Sequence, residues 1–222
     1  MDDWKKIKIL YPKRKHLKLN KLDMIPYYDE NNKVINYKKH ERLEQWTTNE
    51  RIEPNDVVLE LGGRYGLTAC AINNKLENPK NHVVFEPDKT VIKCLIKNRK
   101  SHKSKFTIFN GIISEKPKKL YLNGFATTAL NTTKNDKNKI PSWTLKEIMD
   151  IAKLDFNVLV ADCEGCLCDF FEENKNYLKN YKTIIFEKDY PDRCDYNNIH
   201  EQLLKYNFKC VQDEFVVAYL KL

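Results

Sequence analysis

A glycine-rich turn follows a predicted buried strand near residue 60. The run from Val57 to Ala69 is VVLELGGRYGLTA, so apolar residues lead into Gly62, Gly63 and Gly66 and then into a helix. Glycines let the backbone approach a ligand closely, and the start of a helix offers free N–H groups. This turn predicts a site for a nucleotide-like ligand.

Acidic side chains stand at the predicted ends of this strand and of the next one. Glu60 lies at the end of the first strand, where a charge in a buried run needs a partner or a ligand. The second strand ends in Val84-Phe85-Glu86-Pro87, and Glu86 can accept hydrogen bonds from both ribose hydroxyls of an adenosyl group. NAD and S-adenosylmethionine both have that group.

The order of the glycines distinguishes these two cofactors. A dinucleotide fingerprint requires G-x-G-x-x-G, whereas this loop is G-G-R-Y-G, with Glu60 two residues before the first glycine. Glu60 would repel a pyrophosphate and attract the amino group or the sulfonium of S-adenosylmethionine. We therefore expect a methyltransferase rather than a dehydrogenase.

Four further acids follow two later predicted strands: Asp162 and Glu164 after the fourth, and Glu187 and Asp189 after the fifth. In an open parallel sheet, ligands bind outside the carboxyl ends of the strands, so these acids should face the same crevice as the glycine turn. Asp162 could deprotonate an attacking hydroxyl or bind a divalent cation such as magnesium. The alternative is that these carboxylates cap helices or pair with lysines.

Strands and helices alternate from about residue 56 and would position these residues. Strands are predicted at 57–61, 82–86, 106–109, 156–161 and 183–186, and helices at 67–76, 89–99, 144–151, 167–178 and 196–206. Residues 119–122 are a predicted edge segment, 124–139 a loop that is either a lid or disordered, and 208–211 with 216–220 a closing antiparallel hairpin. The alternation predicts a parallel sheet with right-handed crossovers.

Residues 1–50 lack this alternation and are predicted to form a cover on a main domain at 51–222. A small hairpin at 25–28 and 34–37 and a helix at 41–46 are expected there. The aromatic residues of this segment, such as Trp4 and Trp46, lie among basic residues; packing is favoured over stacking on sugars or on RNA bases. His40 is expected to be a surface histidine rather than a base.

The composition predicts one globular α/β domain. The 222 residues are 41% hydrophobic and 11% aromatic, which argues against a fibrous or disordered chain. Without a long apolar run or a signal-like start, the chain is expected to be cytoplasmic. Seven irregularly spaced cysteines predict reduced thiols rather than disulfides or zinc. The net charge of +8 reflects a lysine-rich composition or an anionic partner such as nucleic acid.

The run from Asp56 to about Glu187 resembles the FkbM-type family of class I S-adenosylmethionine-dependent methyltransferases. The motifs that carry the resemblance are LELGGRYGLT, FEPD, Asn110-Gly111, TLKEIM, ADCEG and IIFE, in that order over roughly 60% of the chain. The family usually has Asp in place of Glu60, Asn in place of Arg64 and an acid in place of Leu167.

This resemblance implies a Rossmann-like fold, with a mostly parallel seven-stranded sheet and an antiparallel C-terminal hairpin. It also implies methyl transfer to a hydroxyl of a sugar or glycan; the alternatives are an RNA methyltransferase and a non-catalytic binding module on the same fold. Asp162, Glu164 and Glu187 are the predicted catalytic residues. The predicted cofactor-binding residues are Glu60, Gly62, Gly63, Arg64, Gly66, Glu86, Pro87, Asn110, Gly111 and Asp162. A divalent cation and the oligomeric state stay open.

Overall fold

A seven-stranded sheet forms the centre of the protein in a computed structural model that describes residues 25–36, 41–123 and 126–222. Its strands are β3 (Val58–Leu61), β4 (His82–Phe85), β5 (Thr107–Phe109), β10 (Val158–Ala161), β11 (Thr183–Glu187), β12 (Phe208–Asp213) and β13 (Val216–Lys221). They run in the order β12-β13-β11-β10-β3-β4-β5. Five are parallel, and β13 is antiparallel to both β11 and β12. This order confirms the predicted Rossmann-like fold of class I methyltransferases.

Helices connect the strands, and two of the described helices begin with a side-chain cap. They are α1 (Arg42–Arg51), α2 (Leu67–Lys75), α3 (Ile92–Ser101), α4 (Leu145–Ala152), α5 (Leu167–Glu173) and α6 (Tyr196–Lys205). Thr144 and Glu147 form a reciprocal capping box at the start of α4, and Asp195 accepts two backbone N–H groups at the start of α6. Among the described helices the longest have ten residues, and none combines the length and apolar composition that a bilayer-spanning segment needs.

The core lies on both faces of the sheet, as expected for a parallel sheet whose faces are both covered. All four residues of β3, β4 and β10 are buried. Leu59 and Leu159 pack into one cluster with Phe171, while Val58 and Leu43 pack into another. The helix α1 that carries Leu43 is therefore anchored in the core.

Short pairings complete the fold around one end of the sheet. The hairpin β1 (Tyr27–Tyr28) with β2 (Val34–Ile35) is antiparallel, as predicted, and β6 (Ile112–Ile113) pairs with β9 (Ser142–Trp143). Tyr27 is buried and Trp46 packs against the core, so packing is the role of these two aromatic residues. Trp4 and His40 lie outside the described residues.

Two predicted elements differ from the structure. Residues 126–131, predicted as part of a loop, form strand β8 (Ala126–Asn131), which pairs with β7 (Lys118–Asn123). The sequence analysis missed β8 because its residues are mostly polar and lack the apolar pattern of a buried strand. This strand pairs with β7 outside the central sheet. The predicted helix at 167–178 ends at Glu173 and continues as a 3₁₀ helix at Lys175–Asn180. Between them, buried Asn174 donates a side-chain hydrogen bond to the Phe170 carbonyl.

Candidate active site

A cavity of about 610 Å³ opens at the carboxyl ends of the parallel strands. Its wall includes Gly62 and Arg64 from the loop after β3, Glu86 at the end of β4, Gly111 after β5 and Asp162 after β10. Ligand sites in open α/β sheets lie at this edge, where the strand order reverses. The volume falls within the range of about 300–1,000 Å³ that is typical of small-molecule sites.

Gly62 is fixed by a close contact between two strand ends. Its φ is +94°, and a Cβ atom at this position would lie 1.7 Å from the Asp162 carbonyl oxygen. The N–H groups of Gly62 and Gly63 both donate to the Phe85 carbonyl, at 2.9 and 3.0 Å. The absence of a side chain at Gly62 is therefore what brings Asp162 beside the glycine turn.

Glu86 is held by the backbone on both of its carboxylate oxygens. One oxygen accepts the Arg64 N–H and the other accepts the Asp88 N–H, each at 2.7 Å. Burial raises the pKa of Glu86 to about 7, although these two hydrogen bonds act in the opposite direction. Each oxygen of a carboxylate has a second lone pair, so Glu86 can also accept a ribose hydroxyl at the cavity wall.

Glu60, predicted to contact the cofactor, does not line the cavity among the residues that the structure describes. Its carboxyl group lies 2.8 Å from Nε2 of His82, and both side chains are almost fully buried. Burial raises the pKa of Glu60 well above its ordinary value and lowers the pKa of His82 to about 3. His82 is therefore the hydrogen-bond partner that this buried acid requires.

Three other predicted residues support the cavity wall without lining the cavity among the described residues. They are Gly63, Gly66 and Asn110. Asn110 donates its side-chain N–H to the carbonyl groups of Glu86, at 2.8 Å, and of Pro87, at 3.3 Å. Gly63 and Gly66 have no room for a side chain: a Cβ at Gly63 would lie 2.4 Å from Val84, and one at Gly66 would lie 2.7 Å from Leu95. Pro87 itself lines the cavity.

The predicted carboxylates Asp162, Glu164 and Glu187 all line the cavity. Carboxylate oxygens of Asp162 and Glu164 also lie within 4.8 Å of Asp189. Burial is the largest cause that raises the pKa of Asp162 well above its ordinary value, and the charges of Glu41, Glu164 and Asp189 add to it. The structure therefore brings together the acids that follow the fourth and fifth parallel strands.

Four acids that the sequence analysis missed also line this cavity, namely Asp29, Glu41, Glu44 and Asp169. Glu41 accepts hydrogen bonds from the backbone N–H and the hydroxyl of Thr68, both at 3.1 Å, and burial raises its pKa to about 7. Glu44 lies on α1 and has carboxylate oxygens within 4.8 Å of those of Asp162 and Glu187. Glu41 precedes α1 in a left-handed conformation, so helical spacing does not relate it to Glu44, and tertiary packing brings the two acids to the cavity.

The cavity wall is acidic although the whole chain is basic. Among the residues that the structure describes, eight acidic and three basic residues line it. Two of these bases already have acidic partners, because Lys118 forms an ion pair with Asp169 and Arg64 lies 3.7 Å from Asp88. The acidic residues are Asp29, Glu41, Glu44, Glu86, Asp162, Glu164, Asp169 and Glu187. Where these acids are ionised, such a wall attracts a cationic ligand and repels phosphate groups.

Four of the seven cysteines form disulfides, so the prediction of reduced thiols is wrong for these four. Cys163 pairs with Cys166 in the loop after β10, and Cys168 of α5 pairs with Cys194. Cys194 is distant in the sequence and isolated there, and only the packing of α5 beside the segment before α6 brings it to Cys168. Both disulfides lie on the side of the cavity that carries Asp162.

Neither a protein-family model nor a curated protein sequence matches the chain, so the resemblance to the FkbM family stays a prediction. Among solved structures, the chain is similar to a precorrin-6y C5,15-methyltransferase from Geobacter metallireducens, with 12% identity, a TM-score of 0.49, and coverage of 80% of this chain and 87% of the other. It is also similar to an rRNA methylase from Streptococcus thermophilus, with 6% identity, a TM-score of 0.47, and coverage of 81% and 95%. A third similar structure is a ribosomal protein L11 methylase from Lactobacillus delbrueckii, with 12% identity, a TM-score of 0.46, and coverage of 80% of this chain and 77% of the other.

Proposed function

We propose that this protein is an S-adenosylmethionine-dependent O-methyltransferase whose acceptor is a hydroxyl group of a sugar or glycan. The observation that carries the proposal is a single cavity in which a glycine turn, the acid at the end of β4 and the acids after β10 and β11 converge. The glycine turn and Glu86 suit an adenosyl group, and the later acids suit an acceptor.

The charge of the cavity favours this cofactor over a dinucleotide. S-adenosylmethionine carries a sulfonium and an amino group, whereas NAD carries a pyrophosphate that the acidic wall would repel. The predicted attraction stays in the proposal, but its source changes from Glu60 to wall residues such as Glu41 and Asp162. Glu86 would accept the ribose hydroxyls, and the backbone at Gly62 allows close approach of the cofactor.

The acids after β10 and β11 suit an acceptor that is rich in hydroxyl groups. Carboxylates accept hydrogen bonds from hydroxyls, and a buried carboxyl with a raised pKa is a stronger base than an ordinary one. When bound, S-adenosylmethionine supplies a methyl group on a good leaving group, so this chain has to orient the acceptor, exclude water and remove one proton. We assign removal of the proton to Asp162 and orientation of the acceptor to Glu187 and Glu164, all of which line the cavity.

An RNA acceptor is the alternative that the net charge of +8 favours. Its phosphates would have to approach a wall where, among the described residues, acids outnumber bases by eight to three. For this reason we keep a sugar or glycan hydroxyl as the proposed acceptor. The proposal requires no divalent cation, and magnesium stays a prediction from the sequence.

Calorimetry with S-adenosylmethionine, S-adenosylhomocysteine and NAD, each alone, tests the cofactor. We expect both adenosyl ligands to bind and NAD not to bind. The protein is then incubated with S-adenosylmethionine and either a panel of sugars and oligosaccharides or a panel of short RNAs, and products are examined by mass spectrometry for the gain of one methyl group.

A methylated sugar would support the proposal, and a methylated RNA with unmodified sugars would replace it with the alternative. Binding of NAD in place of the adenosyl ligands would contradict the cofactor assignment itself. Binding without any methylated product would favour a non-catalytic module. Parallel reactions with magnesium and with a chelator would show whether transfer depends on a divalent cation.

A further inference from the structure

The excess positive charge of the chain is concentrated in one segment. Residues 89–114 contain seven basic residues and no acidic residue, whereas the rest of the chain contains 32 basic and 31 acidic residues. A lysine-rich composition alone would spread the excess along the whole chain. The net charge of +8 therefore marks one place on the molecule, where an anionic ligand would be attracted.

This segment includes α3 and the turns on both sides of it, and its lysines face the solvent. The helix buries Cys94, Leu95 and Asn98 against the rest of the protein. Lysines at spacings of four and three residues follow the opposite side of the helix. The exposed lysines of α3 and its flanking turns, called here the lysine face, are Lys89, Lys93, Lys97, Lys100, Lys103 and Lys105.

The lysine face has no acidic partner among the residues that the structure describes, because none of the ion pairs found there involves one of its six lysines. Lys97 instead contacts the β1–β2 hairpin: its Nζ donates to the Asn32 side chain and lies 3.4 Å from the centroid of the Tyr28 ring. Neighbouring unpaired cations repel one another, and a ligand with several negative charges relieves that repulsion.

The β1–β2 hairpin connects the lysine face to the cavity. Asn98 of α3 fixes the hairpin, because its side chain accepts the Tyr28 N–H at 3.0 Å and donates to the Tyr28 carbonyl at 2.9 Å. Other residues of the same hairpin line the cavity, among them Lys33, which is exposed and has no acidic partner in the described part of the chain. An elongated ligand that leaves the cavity beside Lys33 therefore meets the lysine face.

We propose that the lysine face docks the acidic part of a glycan acceptor. Sugar units that carry carboxylates lie along α3, and the neutral unit that is methylated lies in the cavity. This inference rests on the proposed function and narrows its acceptor to an acidic glycan. It places the anionic groups on lysines and keeps them away from the acids of the cavity wall.

Two observations favour an acidic glycan over a nucleic acid as the occupant. A nucleic acid carries a phosphate at every nucleotide, so a nucleotide in the cavity would bring phosphates close to the acids of its wall, whereas a glycan can lack a charge on the reacting unit. Arg is the preferred side chain for bidentate contacts with phosphate. The one Arg of the basic segment, Arg99, already donates to the Phe106 carbonyl at 2.7 Å.

Fluorescence anisotropy with a labelled oligogalacturonate, in the absence of S-adenosylmethionine, tests the docking. The combined variant Lys89→Gln, Lys93→Gln and Lys100→Gln should bind this probe about tenfold more weakly than the wild type, because three charge contacts are lost. Binding to the wild type should disappear at about 1 M salt, where screening is effective beyond about 3 Å. A neutral malto-oligosaccharide and an oligouridylate of equal length are the comparison probes.

The matched control combines Lys175→Gln, Lys179→Gln and Lys205→Gln. These exposed lysines lie on the segments that lead into β11 and β12, toward the opposite edge of the sheet from β5, and the change in net charge is the same. The control should bind oligogalacturonate within about twofold of the wild type, because its lysines do not contact the probe.

Lysine acetylation of the wild type, read by mass spectrometry, maps the docked chain directly. Bound oligogalacturonate should protect Lys89, Lys93 and Lys100, and Lys33 where the chain reaches the cavity. The three control lysines should react as fast as in the free protein. This measurement needs no variant, so it decides the location even if thermal melting shows that the combined variant fails to fold.

Three results would overturn the inference: no binding of oligogalacturonate, equal losses of affinity in the two combined variants, or protection of the control lysines as strong as that of the lysine face. Tighter binding of oligouridylate at the same lysines would replace the glycan with a nucleic acid. A protein that binds oligogalacturonate there but not S-adenosylmethionine would refute the proposed function alone. The reverse result would refute the docking alone.

Discussion

The two ends of the cavity are built in opposite ways. The glycine end comprises Gly62, Arg64, Glu86 and Gly111, and its geometry is set mainly by backbone contacts such as those of Gly62 with the Phe85 and Asp162 carbonyls. The carboxylate end comprises Glu44, Asp162, Glu164 and Glu187, which are side chains from three separate elements.

This difference has a consequence for what each end can tolerate. The glycine end should lose its structure when an atom is added to a glycine, because the packed main-chain groups around it cannot move aside. The carboxylate end should instead lose its function when the charge or protonation of one acid is changed, because its acids interact electrostatically. The cysteines follow the same division: Cys70 of α2 and Cys94 of α3 are free thiols, whereas both disulfides lie at the carboxylate end.

The largest effect is expected from adding one methyl group at the glycine end. Gly62→Ala should lower the free energy of unfolding by roughly 4 kcal/mol or more, because its Cβ would overlap the Asp162 carbonyl oxygen in addition to the positive φ. Gly165→Ala at the carboxylate end also has a positive φ, of 87°, but its Cβ would meet only side-chain atoms at 3.1–3.4 Å. Gly165→Ala should lower the free energy of unfolding by only about 1–2 kcal/mol. Denaturant unfolding measures both, and equal losses would contradict the contrast.

A pair of isosteric substitutions should separate the two ends functionally. Asp162→Asn should lower kcat about 10²- to 10⁴-fold while changing cofactor affinity less than about threefold, because it removes the base. Glu86→Gln should weaken cofactor binding about tenfold while leaving kcat at saturation within about threefold, because it removes an acceptor for ribose hydroxyls. Asp155→Asn, at an exposed site before β10, is the control. If both variants changed the same parameter, the division between the ends would be refuted.

The two disulfides should contribute different amounts to the free energy of unfolding, although both lie at the carboxylate end. Replacing Cys168 and Cys194 by Ala opens a long loop, with a sequence separation of 26, and should cost about 3 kcal/mol. Replacing Cys163 and Cys166 opens a loop with a separation of only three and should cost about 2 kcal/mol or less. Melting temperatures with and without reductant measure both. A reductant-insensitive wild type would show that the thiols are free in solution.

The smallest expected effect is the pH dependence at the glycine end. The pKa of Glu86 is raised from 4.5 to about 7, so the folded protein holds a proton that the unfolded chain has lost between these values. Its contribution to stability is therefore full below about pH 4.5 and is lost as the pH rises to about 7. Glu86→Gln should consequently be more stable than the wild type at pH 8 and no more stable at pH 4, which unfolding at the two pH values measures.

Cofactor affinity should change with pH in the opposite direction, because ionised Glu86 attracts a cationic ligand. We expect affinity to rise about three- to tenfold from pH 6 to pH 8. Calorimetry on the wild type and on Glu86→Gln measures this change. Glu41, whose pKa is also about 7, accounts for any rise that persists in the variant. A flat profile in the wild type would contradict the placement of these acids at the cofactor.

Local patterns in the sequence determined the alternation of strands and helices, the glycine turn and the acid at the end of β4. These features depend on short-range physics: β-branched runs form strands, glycines allow positive φ, and an acid after a parallel strand lies at the ligand edge of the sheet. The position of Gly62 and of Glu86 at the cavity follows from such rules alone.

Tertiary packing decided which distant side chains meet. The partner of Glu60 is His82 on the neighbouring strand, Cys194 is bonded to Cys168, and the carboxylate of Glu44 on α1 lies within 4.8 Å of that of Asp162. Strand register and the docking of a helix from outside the alternation set these contacts, and neither is encoded within a short window of sequence. The sequence by itself thus determined the edge of the sheet where the cavity lies, and only the folded chain decided which carboxyl groups line that cavity.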